Sequence, residues 1–441
     1  MTGPVTVALG TLGCRLNQVE SQEMGALLER SGFRVVSAED AAQVYVVNTC
    51  TVTGRADLSD RQLVRRMARR NPEAFVVVTG CLAQTDPAAV AAIPGVDLIV
   101  GNQEKYRLPE LLHSLVKRPR PTLAVGDVTA ARGIPVAPLT RVAGRSRAFV
   151  KIQDGCQHRC AFCIVPAARG GSRSQDLKVV LDQVRARVEA GYLDITLTGV
   201  DIGHYGWDLY PRTSLAALVH ALAGIEGLGW LRLSSVLPSY FTPELIEAVT
   251  TLPVVAPHLH LPLQSGSDRV LRLMRRPYHT RMYRDLVHRI ADAVPGLGLG
   301  ADVIVGHPGE SDEDFEATLA FVDSLPFSYL HVFSYSDRRG TEAAGRPDHV
   351  GPALIRERSR RLRRLGREKS LVFRCGLAGS RHRAVVLETR DPRSGLLSGL
   401  TANYVEVLFE GPDSLGRRMV TLEVDETSGD RTYGRLLEAP V

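Results

Sequence analysis

Three cysteines within eight residues are the strongest chemical signal in this chain. Cys156, Cys160 and Cys163 are spaced C-x3-C-x2-C and follow an alternating segment that predicts a strand over residues 148–153. Gly155 gives the backbone freedom to bend around a shared metal centre. Structural zinc sites have four ligands, whereas three cysteines leave one iron of an iron–sulfur cluster open. The spacing therefore favours an iron–sulfur cluster with one open iron.

Three further cysteines occupy equivalent positions in the first third of the chain. Cys14, Cys50 and Cys81 each follow a predicted strand, and helical patterns separate the strands. This alternation predicts a parallel α/β sheet, in which the carboxyl ends of the strands share one edge. Free cysteines are often small core residues, but that role does not explain why all three lie at the same end of their strands. We therefore expect a second three-cysteine site. The predicted strands are 5–9, 44–47, 75–78 and 98–100, and the predicted helices are 19–30, 58–70 and 87–92.

The middle of the chain repeats the strand–helix alternation six times, which predicts a partial (β/α)6 barrel with its chemistry at the carboxyl ends of the strands. The strand candidates are residues 148–153, 194–198, 230–234, 258–263, 299–305 and 329–335. Helical patterns cover 176–190, 215–223, 243–249, 268–293 with a break near Pro277, and 313–324. Polar or glycine-rich segments follow the strands: the cysteine loop, 198–200, 234–235, 264–267, 306–310 and 335–336.

The last stretch combines a basic helix, about 352–373, with short alternating segments that predict a small closed β-barrel. These segments are 383–389, 399–408, 418–423 and 432–437. Cys375 stands alone, and we interpret it as a packed thiol. The predicted domain boundaries are 1–117, a linker at 118–147, 148–370 and 371–441.

Composition and charge narrow the expected binding partners and cellular location of the protein. The net charge is +6, and arginines cluster on two predicted helices, around 61–70 and 356–369, which favours a phosphate-facing surface. No signal sequence or membrane span is expected. Seven cysteines are too few for a disulfide scaffold in a chain of 441 residues, so a reducing cytoplasm is the expected location.

The cysteine loop resembles that of radical S-adenosylmethionine enzymes. The segments TLGCRLNQVES at 11–21, NTCTVT at 48–53 and TGCLAQ at 79–84 resemble the radical methylthiotransferases, and the wording LGCRLNQ is similar to the branch acting on threonylcarbamoyladenosine in tRNA. The resemblance covers nearly the whole chain. It implies two 4Fe–4S clusters, S-adenosylmethionine cleaved to a 5′-deoxyadenosyl radical, and methylthiolation of carbon 2 of that adenosine, next to the anticodon. It also implies that the C-terminal barrel is an RNA-binding TRAM domain.

The resemblance implies roles for individual residues. Cys156, Cys160 and Cys163 would hold the cluster that cleaves S-adenosylmethionine, and Cys14, Cys50 and Cys81 the cluster that presents sulfur. S-adenosylmethionine would contact a set of residues near the strand ends: Phe162, Thr198, Gly199, Val200, Ser235, Gln264 and Gly306. The implied partners are the anticodon stem-loop of tRNA, an electron donor such as a flavodoxin or ferredoxin, and a sulfur donor.

Some positions depart from the family pattern. Ala167 stands where an aromatic residue is usual, His307 replaces a commoner Phe, and Ser334 stands where Pro is frequent. We interpret His307 as a packing or surface residue. His258 and His260 alternate along one predicted strand, and we expect both to be buried and hydrogen-bonded.

Four alternatives share part of this pattern. A methylthiotransferase acting on isopentenyladenosine in tRNA, or on an aspartate of a ribosomal protein, would carry the same six cysteines. A non-catalytic iron–sulfur RNA-binding protein would bind tRNA without forming 5′-deoxyadenosine. A zinc-binding RNA module would contain zinc and lack the charge-transfer absorption of iron–sulfur clusters.

Overall fold

The computed structural model describes residues 3–136 and 145–438, and these form two compact units. The first unit comprises Met1–Thr140, Gln153–Ser174 and Ser336–Ala344. The second comprises Arg141–Ile152, Gln175–Tyr335 and Gly345–Val441. The loop that carries Cys156, Cys160 and Cys163 therefore belongs to the same unit as the three N-terminal cysteines.

The first unit is built on a parallel six-stranded sheet in the order β2-β1-β3-β4-β5-β6, which confirms the predicted α/β class. Its strands are β1 (Thr6–Thr11), β2 (Arg34–Val36), β3 (Val44–Thr49), β4 (Phe75–Gly80), β5 (Leu98–Val100) and β6 (Thr122–Ala124). Its helices are α1 (Arg15–Arg30), α2 (Gly54–Arg70), α3 (Cys81–Thr85), α4 (Pro87–Ala91), α5 (Leu108–Leu111) and α6 (Val165–Arg169).

Helices α1 and α2 cover opposite faces of this sheet. Met24 and Leu28 of α1 pack with Val44 and Val46, whereas α2 packs against Tyr45 and Val47 on the other face. Every residue of β3 and β4 is buried. Continuous apolar strands are typical of a sheet covered on both faces, which explains why the sequence identified the central strands.

The two edge strands were absent from the sequence prediction. Strands β2 and β6 have three residues each, and most of these are partly or fully exposed, so they lack an apolar signal. Strand β6 lies inside the predicted linker 118–147 and pairs with β5, so this part of the linker belongs to the sheet. Residues 137–144 of that linker lie outside the described residues.

The second unit contains six parallel strands in chain order, as expected for a partial barrel. They are β7 (Ala148–Lys151), β10 (Asp194–Thr198), β11 (Trp230–Leu233), β12 (His258–His260), β13 (Gly298–Val305) and β14 (Tyr329–Ser334). They form two three-stranded sheets, and a parallel bridge between Leu231 and Val255 links the last strand of the first sheet to the segment that precedes β12. A short antiparallel pair of the first unit, β8 (Gln153–Asp154) and β9 (Arg173–Ser174), encloses the cysteine loop.

Helices of the second unit follow the predicted pattern closely. They are α7 (Leu177–Glu189), α8 (Leu215–Ala223), α9 (Pro243–Thr251), α10 (Asp268–Leu273), α11 (Thr280–Ala293), α12 (Asp312–Asp323) and α13 (Pro352–Cys375). The predicted break near Pro277 separates α10 from α11. Several of these helices begin at a side-chain cap, and Ser311 with Asp314 forms a reciprocal capping box at the start of α12.

A closed five-stranded barrel ends the second unit, as expected, in the order β15-β16-β17-β19-β18. Its strands are β15 (Arg381–Val386), β16 (Leu397–Thr401), β17 (Glu406–Phe409), β18 (Met419–Ser428) and β19 (Arg431–Glu438). The single predicted segment 399–408 is two strands, because Tyr404 adopts a φ of 70° and the Thr401 hydroxyl accepts the Val405 N–H. Cys375 is the exposed last residue of α13, so the prediction of a packed thiol is wrong.

Among the described residues, no helix combines the length and the apolar character that a membrane crossing requires.

Candidate iron–sulfur and cofactor sites

The three N-terminal cysteines lie at one edge of the first sheet. Cys14 is the N-cap of α1, Cys50 directly follows β3, and Cys81 is the first residue of α3 after β4. The strand order reverses between β1 and β3, so Cys14 and Cys50 lie at the topological switch point where open α/β sheets bind ligands. The structure therefore brings the predicted second trio together.

Two glycines allow the three cysteine segments to approach closely. A Cβ atom on Gly13 would lie 2.5 Å from Cys50 Cβ, and one on Gly80 would lie 2.4 Å from the Thr49 carbonyl oxygen. Both glycines have positive φ, 101° and 95°, which other residues rarely adopt. The Gly-Cys pairs in the sequence thus have a geometric reason.

The electrostatics of this trio fit a metal centre. Burial, with a smaller contribution from the neighbouring thiols of Cys81 and Cys14, raises the pKa of Cys50 to about 12. Burial also raises the pKa of Cys81, against the effect of Arg169 and Lys105. Neighbouring thiolates repel one another, so a bound cation would favour ionisation of the two buried thiols, Cys50 and Cys81, and an iron–sulfur cluster would supply that charge. The donor set therefore fits a three-cysteine iron–sulfur cluster.

A buried carboxyl group accompanies Cys50. Asp60 accepts the Cys50 backbone N–H at 2.9 Å and is fully buried. Burial raises the pKa of Asp60 to about 7. The acid holds the backbone of the Cys50 segment against helix α2.

Next to Cys81 lies a buried network of charges that links the two cysteine segments of the first unit. Arg169 contacts both carboxylate oxygens of Glu20 at 2.8 and 2.9 Å, and it also donates to Asp154 at 3.0 Å and to Asn17 at 2.8 Å. Lys105 lies 2.6 Å from Glu20. Arg169, Lys105 and Glu20 are at most 3% exposed. Helix α6, which follows the C-x3-C-x2-C loop, is thereby tied to α1, which follows Cys14.

Asn102 completes the connection. Its side-chain amide donates to the Ala168 carbonyl at 2.7 Å and lies 3.9 Å from Cys81 Sγ, while its oxygen accepts from Lys105 at 2.9 Å. Sequence reasoning missed Asn102, Arg169, Glu20 and Lys105. One sequence pattern pointed to such a network: the polar residues 17, 20 and 21 recur on the face of α1 that packs against the sheet and must be buried.

The C-x3-C-x2-C loop is compact and partly open. The Cys156 N–H donates to the Gly170 carbonyl at 3.0 Å, and the Cys163 N–H donates to the Cys160 carbonyl at 3.0 Å. A Cβ atom on Gly155 would lie 2.0 Å from the Gly171 carbonyl oxygen, so glycine is required where the loop closes. All three thiols are half-buried. Phe162 is also half-buried in this loop.

The other residues expected to contact S-adenosylmethionine belong to the second unit, at the carboxyl ends of its strands. Thr198 ends β10 and is buried, Gly199 and Val200 follow it, Ser235 lies just past β11, and Gly306 directly follows β13.

Gln264 follows β12 and has a φ of 68°. Its side-chain oxygen is buried without a hydrogen-bond partner among the described residues. A buried, unpaired polar atom fits a residue that binds a polar ligand.

Two of these residues have contacts that the sequence did not suggest. A Cβ atom on Gly306 would lie 2.4 Å from the Ile355 side chain, so its missing side chain accommodates helix α13, and a contact of its backbone with the ligand stays a prediction. The Ser235 hydroxyl lies 3.2 Å from His260 Nδ1.

The departures from the family pattern have different structural contexts. His307 is fully buried and donates to the Pro308 carbonyl at 2.9 Å, which agrees with a packing role. Burial lowers the pKa of His307 to about 4. The Ser334 hydroxyl lies 3.1 Å from that of Ser359 on α13, and Ala167 is exposed. His258 is buried and lies 2.9 Å from the Tyr329 hydroxyl, as expected, whereas His260 is only partly buried.

The arginines of helix α13 are not a uniform phosphate-facing surface. Arg358 is buried and paired with Glu310 and Asp312, each at 2.6 Å, and Arg361 pairs with Glu316. Arg356, Arg360, Arg363, Arg364 and Arg367 are exposed.

Comparison with known proteins agrees with this geometry. Residues 150–322 match the Radical SAM superfamily, and residues 6–101 match an uncharacterised protein family, UPF0004. The radical S-adenosylmethionine methyltransferase TsrM from Kitasatospora setae superimposes with a TM-score of 0.57 at 16% identity, over 77% of this chain and 74% of that one. At this identity the likeness concerns the fold alone. Fold and cysteine loop together define a radical S-adenosylmethionine enzyme.

Full-length relatives define the family more narrowly. The chain is 37% identical to threonylcarbamoyladenosine tRNA methylthiotransferase MtaB of Bacillus subtilis (strain 168), over 95% of this chain and 93% of that protein. It is 38% identical to the protein of the same name from Aquifex aeolicus (strain VF5), over 93% and 98%. It is 35% identical to tRNA-2-methylthio-N(6)-dimethylallyladenosine synthase of Moorella thermoacetica, over 95% of each. The chain belongs to the radical S-adenosylmethionine methylthiotransferase family, whose cofactors are two 4Fe–4S clusters and S-adenosylmethionine.

Proposed function

We propose that this enzyme adds a methylthio group to carbon 2 of threonylcarbamoyladenosine next to the anticodon of tRNA. The observation that carries the proposal is the second cysteine trio at the edge of the first sheet, in the same unit as the C-x3-C-x2-C loop. A radical enzyme that only abstracts hydrogen needs one such site, whereas sulfur insertion needs a second. The relatives from Bacillus subtilis and Aquifex aeolicus, both named for threonylcarbamoyladenosine, support this substrate.

Each trio has its own task in this proposal. Cys156, Cys160 and Cys163 would hold the cluster whose open iron would bind S-adenosylmethionine, and the trio of the sheet edge, Cys14, Cys50 and Cys81, would hold the second cluster. When bound, these groups supply the radical that removes hydrogen from the adenine ring and the iron at which sulfur is presented. The chain's own contribution is to orient both sets of ligands and, through Arg169 and Lys105, to offset the charge of a Cys81 thiolate.

The S-adenosylmethionine contacts are part of the same proposal. The backbone of Thr198, Gly199 and Val200 would hold its amino group, and Phe162 would lie near its adenine. Ser235 and the unpaired side-chain oxygen of Gln264 offer polar contacts. Gly306 contributes its backbone, since its side-chain position is taken by Ile355.

Binding of tRNA involves the C-terminal barrel and the exposed arginines. We propose that residues 371–441 form a TRAM-like RNA-binding domain, that 1–117 form the methylthiotransferase domain and that 148–370 form the radical domain. Exposed arginines attract phosphates in a salt-dependent way. The target base leaves its stack to be modified, as enzymes that act on bases require.

The remaining partners follow from the reaction. A one-electron donor such as a flavodoxin or ferredoxin would reduce the cluster that cleaves S-adenosylmethionine, and a separate donor would supply sulfur. A second S-adenosylmethionine would supply the methyl group. We place the protein in the cytoplasm, where its tRNA substrate is available and thiols stay reduced.

Mass spectrometry of nucleosides from a deletion strain tests the substrate. We expect the methylthio form of threonylcarbamoyladenosine to disappear and to return with the wild-type gene but not with the Cys50→Ala gene. Loss of methylthio-isopentenyladenosine instead would assign the chain to the other tRNA substrate, which the relative from Moorella thermoacetica supports. Unchanged nucleosides would contradict a catalytic role in tRNA modification.

A further inference from the structure

Two histidines and an aspartate converge on neighbouring strands of the second unit. His260 lies on β12, Asp302 on β13 and His331 on β14. Asp302 is directly paired with His331 in the register of β13 and β14, and His260 is paired with Gly300, two residues before Asp302. Leu259, Leu261, Ala301 and Val303 alternate with them and belong to the hydrophobic core. The three polar side chains therefore share the sheet face away from that core.

The atoms of this cluster are close enough to bind one ion. His260 Nε2 and His331 Nδ1 each lie 3.2 Å from the same oxygen, Asp302 Oδ1. One ligand atom from each of the three residues lies within 4.8 Å of the others. Two ligand atoms 3.2 Å apart, each about 2.1 Å from a shared ion, subtend an angle of about 100° at that ion, between the octahedral and tetrahedral values.

The two ring nitrogens of His260 face different polar groups. Its buried Nε2 faces Asp302 Oδ1 at 3.2 Å. Its other ring nitrogen lies 3.2 Å from the Ser235 hydroxyl. Metal-binding histidines are oriented in this way, by a polar partner on the nitrogen that faces away from the metal.

The cluster is also accessible. The His331 side chain is 53% exposed, whereas those of His260 and Asp302 are 13% and 23% exposed. The exposed histidine provides an entry path, and three protein ligands leave at least one coordination position for water or another oxygen ligand.

We propose that His260, Asp302 and His331 form a binding site for a divalent transition-metal ion, separate from both cysteine trios. Two imidazoles and one carboxylate select zinc or ferrous iron over magnesium or calcium, which prefer oxygen ligands. The site does not depend on the proposed tRNA substrate.

Zinc is the probe, because the two clusters contain iron. Bound zinc can therefore be measured separately from cluster iron. The anaerobically reconstituted full-length enzyme is dialysed against micromolar Zn²⁺, and zinc and iron are measured by mass spectrometry. We expect one zinc per chain with the iron content unchanged at about eight. The His331→Ala and Asp302→Asn variants should lose zinc affinity by at least about tenfold.

His220→Ala is the matched control. His220 Nε2 lies 3.1 Å from a Glu247 oxygen, so it has the same kind of acidic partner, but within the described part of the chain it belongs to no such trio. This variant should bind zinc as the wild type does. Fluorescence of Trp207 and Trp230, both in the second unit, verifies that each variant is folded. The proposal is overturned if the wild type binds no zinc, if His331→Ala keeps it, or if zinc uptake only replaces cluster iron.

Discussion

Arg169 is the residue on which the arrangement of the two cysteine segments most depends. It is buried, contacts Glu20 with both nitrogens of its fork, and contacts Asp154 and Asn17 as well. Removal of one partner from a buried charge network leaves the other charges uncompensated, and this costs more than the network itself contributes. Arg169 therefore acts as a positioning residue for both trios.

The Arg169→Met variant should lower the free energy of unfolding by about 3–5 kcal/mol, because Glu20 and Asp154 lose their shared cation. Urea unfolding followed by circular dichroism measures this change. Arg159→Met is the control, since Arg159 is an exposed arginine of the same cysteine loop, and its effect should stay within about 0.5 kcal/mol. Equal unfolding midpoints for the two variants would contradict the role assigned to Arg169.

The sequence predicted the six cysteine ligands but not the buried charged residues around them. The cysteines have local signatures, namely their spacing and their positions after strands. Arg169 and Glu20 are 149 residues apart in sequence, and nothing local indicates that a buried arginine in one segment pairs with a buried glutamate in another. The charges that stabilise the site become visible only when the chain is folded.

Two buried histidines should make the second unit less stable in mild acid. Burial lowers the pKa of His258 well below its ordinary value and that of His307 to about 4. In the unfolded chain these histidines take up protons below pH about 6.5, whereas in the folded chain they stay neutral there. Their contribution to the free energy of unfolding is therefore fully present above that pH and falls as the pH decreases. The slope contributed by each histidine approaches about 1.4 kcal/mol per pH unit.

Urea unfolding of the second unit, followed by tryptophan fluorescence between pH 7.5 and 5.5, measures this slope. Replacement of His307 by Phe, which cannot take up a proton, should remove that residue's share of the slope. A His307→Phe slope equal to that of the wild type would show that His307 is protonated in the folded protein.

At the scale of elements, helix α13 is fixed to the end of β13 by a glycine. Gly306 has a φ of 83°, and a Cβ atom there would overlap the Ile355 side chain. Below it, Glu310 accepts the Gly306 N–H and pairs with Arg358 of α13. Packing of the helix, and not only ligand approach, thus explains this glycine.

The Gly306→Ala variant should be less stable than wild type by about 2–4 kcal/mol, since it combines backbone strain with overpacking. Gly296→Ala isolates the strain, because Gly296 has a φ of 71° and nothing lies within 4 Å of a Cβ atom there. It should cost only about 1–2 kcal/mol. Equal losses in the two variants, measured by urea unfolding, would mean that Ile355 moves aside at no cost.

Helix α13 has both buried, paired arginines and exposed ones. Arg356, Arg360, Arg363 and Arg367 are exposed and recur at intervals of three or four residues, so they form one stripe along the helix, whereas Arg358 is buried in ion pairs. The sequence showed one basic cluster, because it could not indicate which side chains face the protein. Only the exposed stripe is expected to contact tRNA phosphates.

Substitution of both Arg360 and Arg367 by Ala should weaken tRNA binding without a change in fold. Each lost phosphate contact should reduce the slope of log affinity against log salt concentration by about 1. Filter binding or fluorescence anisotropy at several salt concentrations measures the slope. Arg281→Ala, at an exposed arginine of α11, serves as control. An unchanged slope in the double variant would place the RNA elsewhere.

Prediction of elements succeeded where the burial pattern was strong. The fully buried strands β3 and β4 and the long helices were predicted from their apolar periodicity. Strands β2 and β6 were not predicted, because an exposed edge strand has no such pattern. The separation of β16 from β17 was not predicted, because it depends on the backbone conformation of one residue, Tyr404. Sequence patterns therefore do not predict pairing between distant segments or the backbone geometry of a single residue.

On the scale of the whole molecule, the chain joins two three-cysteine sites that use different structural devices. One trio is gathered from three strand ends of a parallel sheet, and the other is contained in a single loop closed by the β8–β9 pair. Each set of ligands is complete without the other. The two sites should therefore be separable by single substitutions.

The Cys81→Ala variant should retain about four of eight irons and still produce 5′-deoxyadenosine from S-adenosylmethionine on reduction, while no methylthio product forms. Cys160→Ala should also retain about four irons but produce no 5′-deoxyadenosine. Iron analysis and chromatography of the reduced reaction mixture measure both results. Cys375→Ala, which removes the exposed cysteine outside the trios, should keep about eight irons. Loss of 5′-deoxyadenosine in Cys81→Ala, with the protein folded, would mean that the sheet-edge trio is required for radical formation itself, and the division of labour between the two sites would be wrong.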